Sequence, residues 1–436
     1  MRYHGRMENE RKTLAIIGGG AAGLAAAVAA ARKLNALRRA DEQGLTPVDI
    51  VVYEADERVG RSILATGNGR CNFSNACITG EIYRNGEFVS HALAELLRQD
   101  VGRRDETSTW ELDGHPICEF FADLGLAWRE DDGGRLYPFA NKASSVLDVL
   151  RFACGRLGVR EECEAEVVEI VPPSRSGERF HLRFGDGKVV HAETVIMACG
   201  GRASVEVMPS AYAREPGRPV LGPLKTAEAV VKRLDNIRVR ASLSLVGSDG
   251  KEKARENGEL LFRSYGVSGI AVFNLSRFAC KGDALLVDFL PSEVEGERFL
   301  SSRRRLMAVG SLPLSCEDFL RGLLLPQVAR VVIEQAGLHP SSQFDEGAVP
   351  PLARALKAFP LAVTGIGDPR QCQVTRGGYD VSLFDSSTME SRRDPGLYAV
   401  GEALDVDGPC GGYNLHWAWT SGILAGRSAV ERLIYA

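Results

Sequence analysis

Residues 14–23 read LAIIGGGAAG, and they decide the fold. Residues 14–18 (LAIIG) are a short apolar run ending in glycine, the pattern of a buried strand. Residues 21–37 are alanine-rich and unbroken, so they predict a helix. Residues 38–47 are charged and end in proline, a surface connection. Residues 49–54 (DIVVYE) predict a second strand. This is a βαβ opening, and it places the chain in the α/β class.

Inside that opening, Gly18-Gly19-Gly20-Ala21-Ala22-Gly23 is a GxGxxG motif. Gly18 permits the tight turn, Gly20 lets backbone approach a pyrophosphate, and Gly23 lets helix and strand pack closely. The helix entry at Ala21 and Ala22 offers N–H donors and a positive dipole to phosphate. Glu54 ends the second strand and is placed to accept both hydroxyls of a ribose. Its distance from Gly23 exceeds the usual ~20 residues because residues 38–47 lengthen the crossover. A ribose-binding glutamate fits FAD or NAD and disfavours a 2′-phosphate. The motif's position at the start of a long chain favours FAD.

At 436 residues the chain has room for two or three domains at about 150 residues each. Apolar residues make 44% and charged residues 25%, ordinary for a globular protein, which excludes wholesale disorder. Lys plus Arg is 53 against 57 Asp plus Glu, so there is no basic excess and nucleic acid is not the expected main partner. No 18-residue apolar run and no secretory signal is visible, so no membrane span is expected. The ten cysteines form no CxxC, and with seven histidines there is no zinc spacing, so no metal is expected. The plain reading is a cytoplasmic protein with reduced thiols.

Further along, residues 60–75 (GRSILATGNGRCNFSN) carry no helical or strand period and predict an ordered functional loop. Residues 91–100, 115–125 and 144–157 predict helices. Residues 163–171, 179–184 and 188–192 predict three strands, the last two joined by a hairpin at Asp186-Gly187. Residues 194–198 predict another buried strand, followed by Cys199-Gly200-Gly201. Beyond residue 202 the pattern changes to a less regular β unit, with strands at 238–246 and 284–289. Residues 317–336 read as a strong helix with Pro326 as its kink or break. Residues 397–400 return to a buried strand, and a final helix spans about 413–434.

Two further segments carry polar chemistry. In the 60–75 loop, Arg70 is a candidate for an anion or flavin, and Asn68 and Asn72 are candidates for flavin edge atoms. Residues 405–415 (DVDGPCGGYNL) put two glycines before a helix. A helix N-terminus aimed at a flavin pyrimidine would stabilise negative charge on the reduced ring.

These segments, together with residues 134–150 (GRLYPFANKASSVLDVL), 258–277 (GELLFRSYGVSGIAVFNLSR), 373–381 (QVTRGGYDV) and 389–426, resemble one family. It is the bacterial FAD-binding oxidoreductases of the aminoacetone-oxidase-like, BaiN or YhiN type, and the resemblance runs from about Thr13 to the C-terminus. It implies a Rossmann-like FAD-binding domain of the glutathione reductase type, formed by residues 1–204 and 366–436. It also implies an inserted β-barrel-like domain (205–290 and 345–365) and an inserted helical domain (291–344). Carried over by position, Gly18, Gly20, Ala21, Ala22 and Gly23 hold the pyrophosphate and Glu54 the adenosine ribose. Arg61, Arg70, Cys71 and Asn72 line the flavin side, and the backbone of Val167 pairs with adenine. Cys199, Gly200 and Gly201 close the pyrophosphate side. Gly401, Glu402, Asp405, Gly412, Tyr413, Asn414 and Leu415 hold the ribityl chain and ring. One departure is Arg263-Ser264-Tyr265, where relatives carry Thr followed by His or Asp.

The reading is therefore an FAD-dependent oxidoreductase that moves hydride between flavin N5 and a small organic substrate. An NADH- or NADPH-dependent reductase of an enone or steroid-like acceptor comes first. An O₂-using amine oxidase of the aminoacetone type and a flavin-binding sensor are the alternatives. Gly365-Ile366-Gly367 lacks a third glycine, so any nicotinamide donor binds transiently at the flavin. Cys71 and Cys77 have five residues between them, against four in the disulfide reductases, which argues against a thiol–disulfide enzyme. Tyr265 and His416 are the candidate general acids. Oligomeric state is not legible.

Overall fold

Continuous burial along residues 14–17 and 50–53 sets up a parallel sheet whose strands are apolar on both faces. The structure is a computed structural model, and it describes residues 11–41, 45–100, 115–175, 177–203, 207, 212, 214–290, 295–307 and 313–436. It divides into two compact units, Met1–Arg218 with Val374–Ala436, and Pro219–Gln373.

In the first unit, five parallel strands lie in the order Leu397–Ala399, Thr194–Met197, Lys12–Ile17, Val48–Tyr53 and Arg160–Glu162. The N-terminal strand sits at the centre, so its C-terminal end, at Gly18, is flanked by strands on both sides. The edge strand Arg160–Glu162 escapes the sequence reading because its three residues are charged and half-exposed. The helix Ala21–Ala40 packs on the final helix, Tyr413–Tyr435. The contact is close because both helices are small there. A Cβ on Gly422 would stand 2.4 Å from the Ala22 carbonyl oxygen, and one on Gly426 would stand 2.3 Å from that of Ala26. An antiparallel meander, Val167–Val171, Phe180–Phe184 and Val189–Ala192, turns at Asp186-Gly187 as expected.

Residues 60–75 are not a featureless loop. They form a short helix, Arg61–Ala65, a 3₁₀ turn, Thr66–Gly69, and a strand, Ser74–Asn75, that pairs with Arg135–Pro138. Left-handed backbone at Gly67, Asn68, Gly69 and Cys71 interrupts any sequence period.

The second unit is a closed six-stranded barrel. Its order is Leu224–Thr226, Gly266–Ser268, Glu252–Arg263, Arg238–Val246, Ala284–Asp288 and Phe359–Ile366. The helix expected over residues 317–336 is two helices, Cys316–Leu320 and Pro326–Gln335. Pro326 opens the second one, where its missing N–H costs nothing. Barrel residues such as Leu243, Phe262 and Leu285 share one core with the helical residues Phe319, Val328 and Val332. All ten cysteines are free thiols. Among the described residues no helix is long and apolar enough to cross a membrane, and no group of three or more His, Cys, Asp or Glu could hold a metal.

Candidate dinucleotide-binding site

The site grows from the end of the central strand. Gly18 turns with φ +104°, its N–H donating to the Tyr53 carbonyl at 2.8 Å. A Cβ on Gly23 would lie 1.9 Å from the Gly18 carbonyl oxygen, so only glycine lets the helix start this close to the turn. At Gly20, the N-cap, the nearest atom to such a Cβ is Ser62 Oγ at 3.3 Å. Backbone is therefore open just where the first-turn N–H groups at Ala21, Ala22 and Gly23 lack intrahelical acceptors. An anion fits there.

Glu54 stands at the side of that turn. Its Oε2 accepts the Gly19 N–H at 2.7 Å and its Oε1 accepts the Asp56 N–H at 2.9 Å. Each oxygen keeps a lone pair for a ribose hydroxyl. The Glu54 carbonyl takes the Ala165 N–H at 2.8 Å, which brings Val167 and its strand alongside. The ladder shifts register between Val167 and Glu169. Arg61 opens its helix beside the turn and pairs with Asp56.

The opposite side comes from distant sequence. Residues 198–199 lie against Gly18, whose missing Cβ would fall 2.6 Å from the Ala198 carbonyl oxygen. Gly200 follows with φ +72°, and Gly201 packs against Thr375 and the Glu402 carbonyl. Gly401 sits over Ala22 and is held at both backbone groups. Its N–H donates to Ser421 Oγ at 3.0 Å, and its carbonyl accepts Trp417 Nε1–H at 3.1 Å. The Glu402 carboxylate accepts the Thr375 N–H at 3.2 Å. Segments at 18–23, 54, 199–201 and 401–402 thus meet around one helix entry.

Toward the expected flavin side, Arg70 is exposed, with its guanidinium 4.9 Å from the Tyr137 ring centre. Asn72 is half-buried, and its Oδ1 has no hydrogen-bond partner among the described residues. Gly412 caps the final helix with φ +97°. The Tyr413 carbonyl accepts Tyr83 Oη–H at 2.8 Å, and Asn414 folds back on Gly408, accepting its N–H at 2.8 Å. Leu415 is half-buried on the first turn.

Three expected roles need correction. Cys71 does not face a ligand: its left-handed backbone turns the side chain into the core, where burial pushes the thiol up to about 12. Asp405 is also committed within the protein. It is 4% exposed, and its carboxylate takes both 2.8 and 2.7 Å bonds from Arg84 Nε, while its carbonyl accepts Asn85 Nδ2 at 2.6 Å. His416 is 2% exposed, 2.9 Å from Ser74 Oγ, its ring edge-on to His115 at 4.9 Å. Burial, then the neighbouring His115, holds it well below the ordinary imidazole range, so it stays neutral and reaches no substrate. Tyr265, in the barrel unit, is half-buried with its hydroxyl 3.5 Å from Gln371 Oε1. Burial raises its pKa, which keeps the phenol protonated.

Sequence reasoning passed over Arg84, Asn85, Arg376 and Asp407. Asp407 is fully buried and takes a 2.9 Å bond from Arg376 Nε. The only local signal was the spacing of the two acids in Asp405-Val406-Asp407, since their arginines lie far away in sequence.

The glycine cradle, the ribose-side carboxylate and the open helix entry fit a dinucleotide. Comparison with known proteins agrees. Residues 12–428 match the family described as HI0933-like protein Rossmann domain. The chain is 34% identical over 440 residues to the 3-dehydro-bile acid delta(4,6)-reductase of Clostridium scindens, covering 96% of this chain and 99% of that one. It is 28% identical over 429 residues to the ribosomal RNA dihydrouridine synthase of Escherichia coli, covering 94% and 96%. The enzyme of that name from Haemophilus influenzae is 26% identical over 423 residues, covering 93% and 95%. The chain belongs to the HI0933-like Rossmann family, and it is an enzyme of the FAD-dependent oxidoreductase type.

Proposed function

We propose that this protein saturates a carbon–carbon double bond conjugated to a carbonyl, using FAD as resident cofactor and NADH or NADPH as transient donor. One observation carries the reading. Two relatives matched end to end are named for a delta(4,6)-reductase of a 3-dehydro-bile acid and for dihydrouridine synthesis. Both names describe the same bond change, loss of a C=C next to a carbonyl. A small enone or steroid-like acceptor is the favoured substrate; a uracil ring presents the same unit.

FAD, when bound and reduced by NADH or NADPH, would supply the hydride for the substrate's β carbon, and a protein group would supply the proton for the α carbon. The chain's own groups have separate tasks. The helix entry at Gly20–Gly23 holds the pyrophosphate, and Glu54 accepts from the ribose. Gly401, Glu402 and residues 412–415 would orient the ribityl end. Tyr265 is the candidate proton donor, a role that Tyr265→Phe tests.

The test begins with the visible spectrum and an anaerobic titration with NADH and NADPH. Prompt bleaching of the flavin bands, then recovery on adding an enone, is expected. Bands that persist with both donors would redirect the reading to an amine oxidase reduced by its own substrate. A flavin that no donor or substrate reduces would favour the sensor. A uridine-containing RNA oligomer in the same assay separates the two acceptor classes. In Tyr265→Phe we expect turnover to fall about 10²-fold while the first, NAD(P)H-driven bleaching is unchanged. Unchanged turnover would remove Tyr265 from the mechanism.

A further inference from the structure

Three consecutive residues fasten the 60–75 segment to the last helix. The Phe73 carbonyl accepts Trp419 Nε1–H at 2.8 Å, Ser74 Oγ lies 2.9 Å from His416 Nδ1, and Asn75 Nδ2 donates to the Gly411 carbonyl at 2.9 Å. The order runs backward along the helix, from its second turn to the residue before its cap. The outer two links end on main-chain carbonyls. The middle one joins two side chains, both buried: Ser74 is 0% exposed and His416 2%.

The seam governs a close approach. A Cβ on Gly412 would stand 2.2 Å from the Ser74 carbonyl oxygen and 2.9 Å from Asn72 Oδ1. The helix entry and residues 72–74 are therefore in contact with no slack. His115 packs edge-on against His416, so the middle link cannot swing away. Neutral imidazole carries one N–H and one lone pair, enough to hold a serine hydroxyl in either sense.

We propose that His416 is a positioning residue for the cofactor: through Ser74 it holds the helix entry, residues 411–415, at a fixed distance from residues 70–72, and flavin affinity and reduction potential depend on that distance. This rests on the reading that FAD is resident. A helix N-terminus near the ring stabilises negative charge on its reduced form. A loosened entry makes the potential more negative and releases FAD more readily.

The test compares the full-length proteins His416→Ala, Ser74→Ala and His416→Gln with the wild type. Flavin content, FAD affinity by equilibrium dialysis, reduction potential by dye equilibration and melting temperature are measured on each. His416→Ala and Ser74→Ala should weaken FAD binding about tenfold, the loss of one buried hydrogen bond, and shift the potential negative. His416→Gln should behave as wild type, because glutamine also donates and accepts. A lower melting temperature with unchanged affinity and potential overturns the proposal, as does a glutamine variant no better than alanine. If His416→Ala does not fold, Ser74→Ala decides. A wild type that holds no FAD and cannot be reconstituted sinks the cofactor reading itself, a result distinct from every variant effect.

Discussion

At Gly20, where the first helix begins, the chain leaves space, whereas between residues 72–85 and 405–416 it leaves almost none. Around Gly20 the helix entry is bare, with only Ser62 Oγ within 3.3 Å of the missing Cβ. Around Asp405, Asp407 and His416, charges and polar side chains are matched inside the protein: Arg84 with Asp405, Arg376 with Asp407, Ser74 with His416. The first region is built to receive an anion. The second is closed on itself, its carboxylates already paired within the protein. Polar residue types alone therefore do not mark a binding surface; the partners that satisfy them decide.

That contrast can be broken experimentally. The largest effect is expected from Gly23→Val, since a side chain must enter where backbone already stands 1.9 Å away. We expect a loss beyond about 5 kcal/mol, read by urea unfolding, with no bound flavin. Asp407→Ala comes next. It takes the fully buried carboxylate from Arg376, and breaking such a pair costs about 3–5 kcal/mol. If it costs under about 1 kcal/mol, the second region is not closed on itself as described here.

The histidines sharpen the contrast through pH. Burial holds His115 down at about 4 in the folded protein, while the unfolded chain titrates near ~6.5. The unfolded state therefore takes up the proton first. Stability is whole above about pH 6.5 and is lost as pH falls toward 4. His115 alone should account for about 2 kcal/mol between pH 7 and pH 5, and His416 acts in the same sense. His115→Asn should flatten that dependence; a slope identical to wild type would mean the ring is not buried as described. The smallest effect is chemical. Iodoacetamide at pH 8 should label exposed Cys77 quickly and leave Cys71 unmodified in the folded protein, as mass spectrometry can read.

Legibility followed the range of the interaction. The turn at Gly18, the helix at Ala21 and the acid at Glu54 are all encoded within about 40 consecutive residues, and strand, helix and glycine spacing each have a local signature. The hairpin at Asp186-Gly187 and the helix entry at Gly412 were readable for the same reason. Arg160–Glu162 was not, because an edge strand needs only one neighbour and no apolar pattern. The assignment of Cys71 and Asp405 to the ligand followed residue type and position in a motif. Neither shows that one side chain turns inward and the other meets Arg84 across 321 positions.

By itself the sequence determined the α/β opening, the glycine turn, the acid that ends the second strand and the final helix, since each depends on neighbours close along the chain. Only the tertiary structure decided which polar groups remain for a ligand. Arg84 with Asp405 and Ser74 with His416 tie the C-terminal segment to residues 74–84, and Arg376 with Asp407 ties that segment to itself, pairings that no local pattern records.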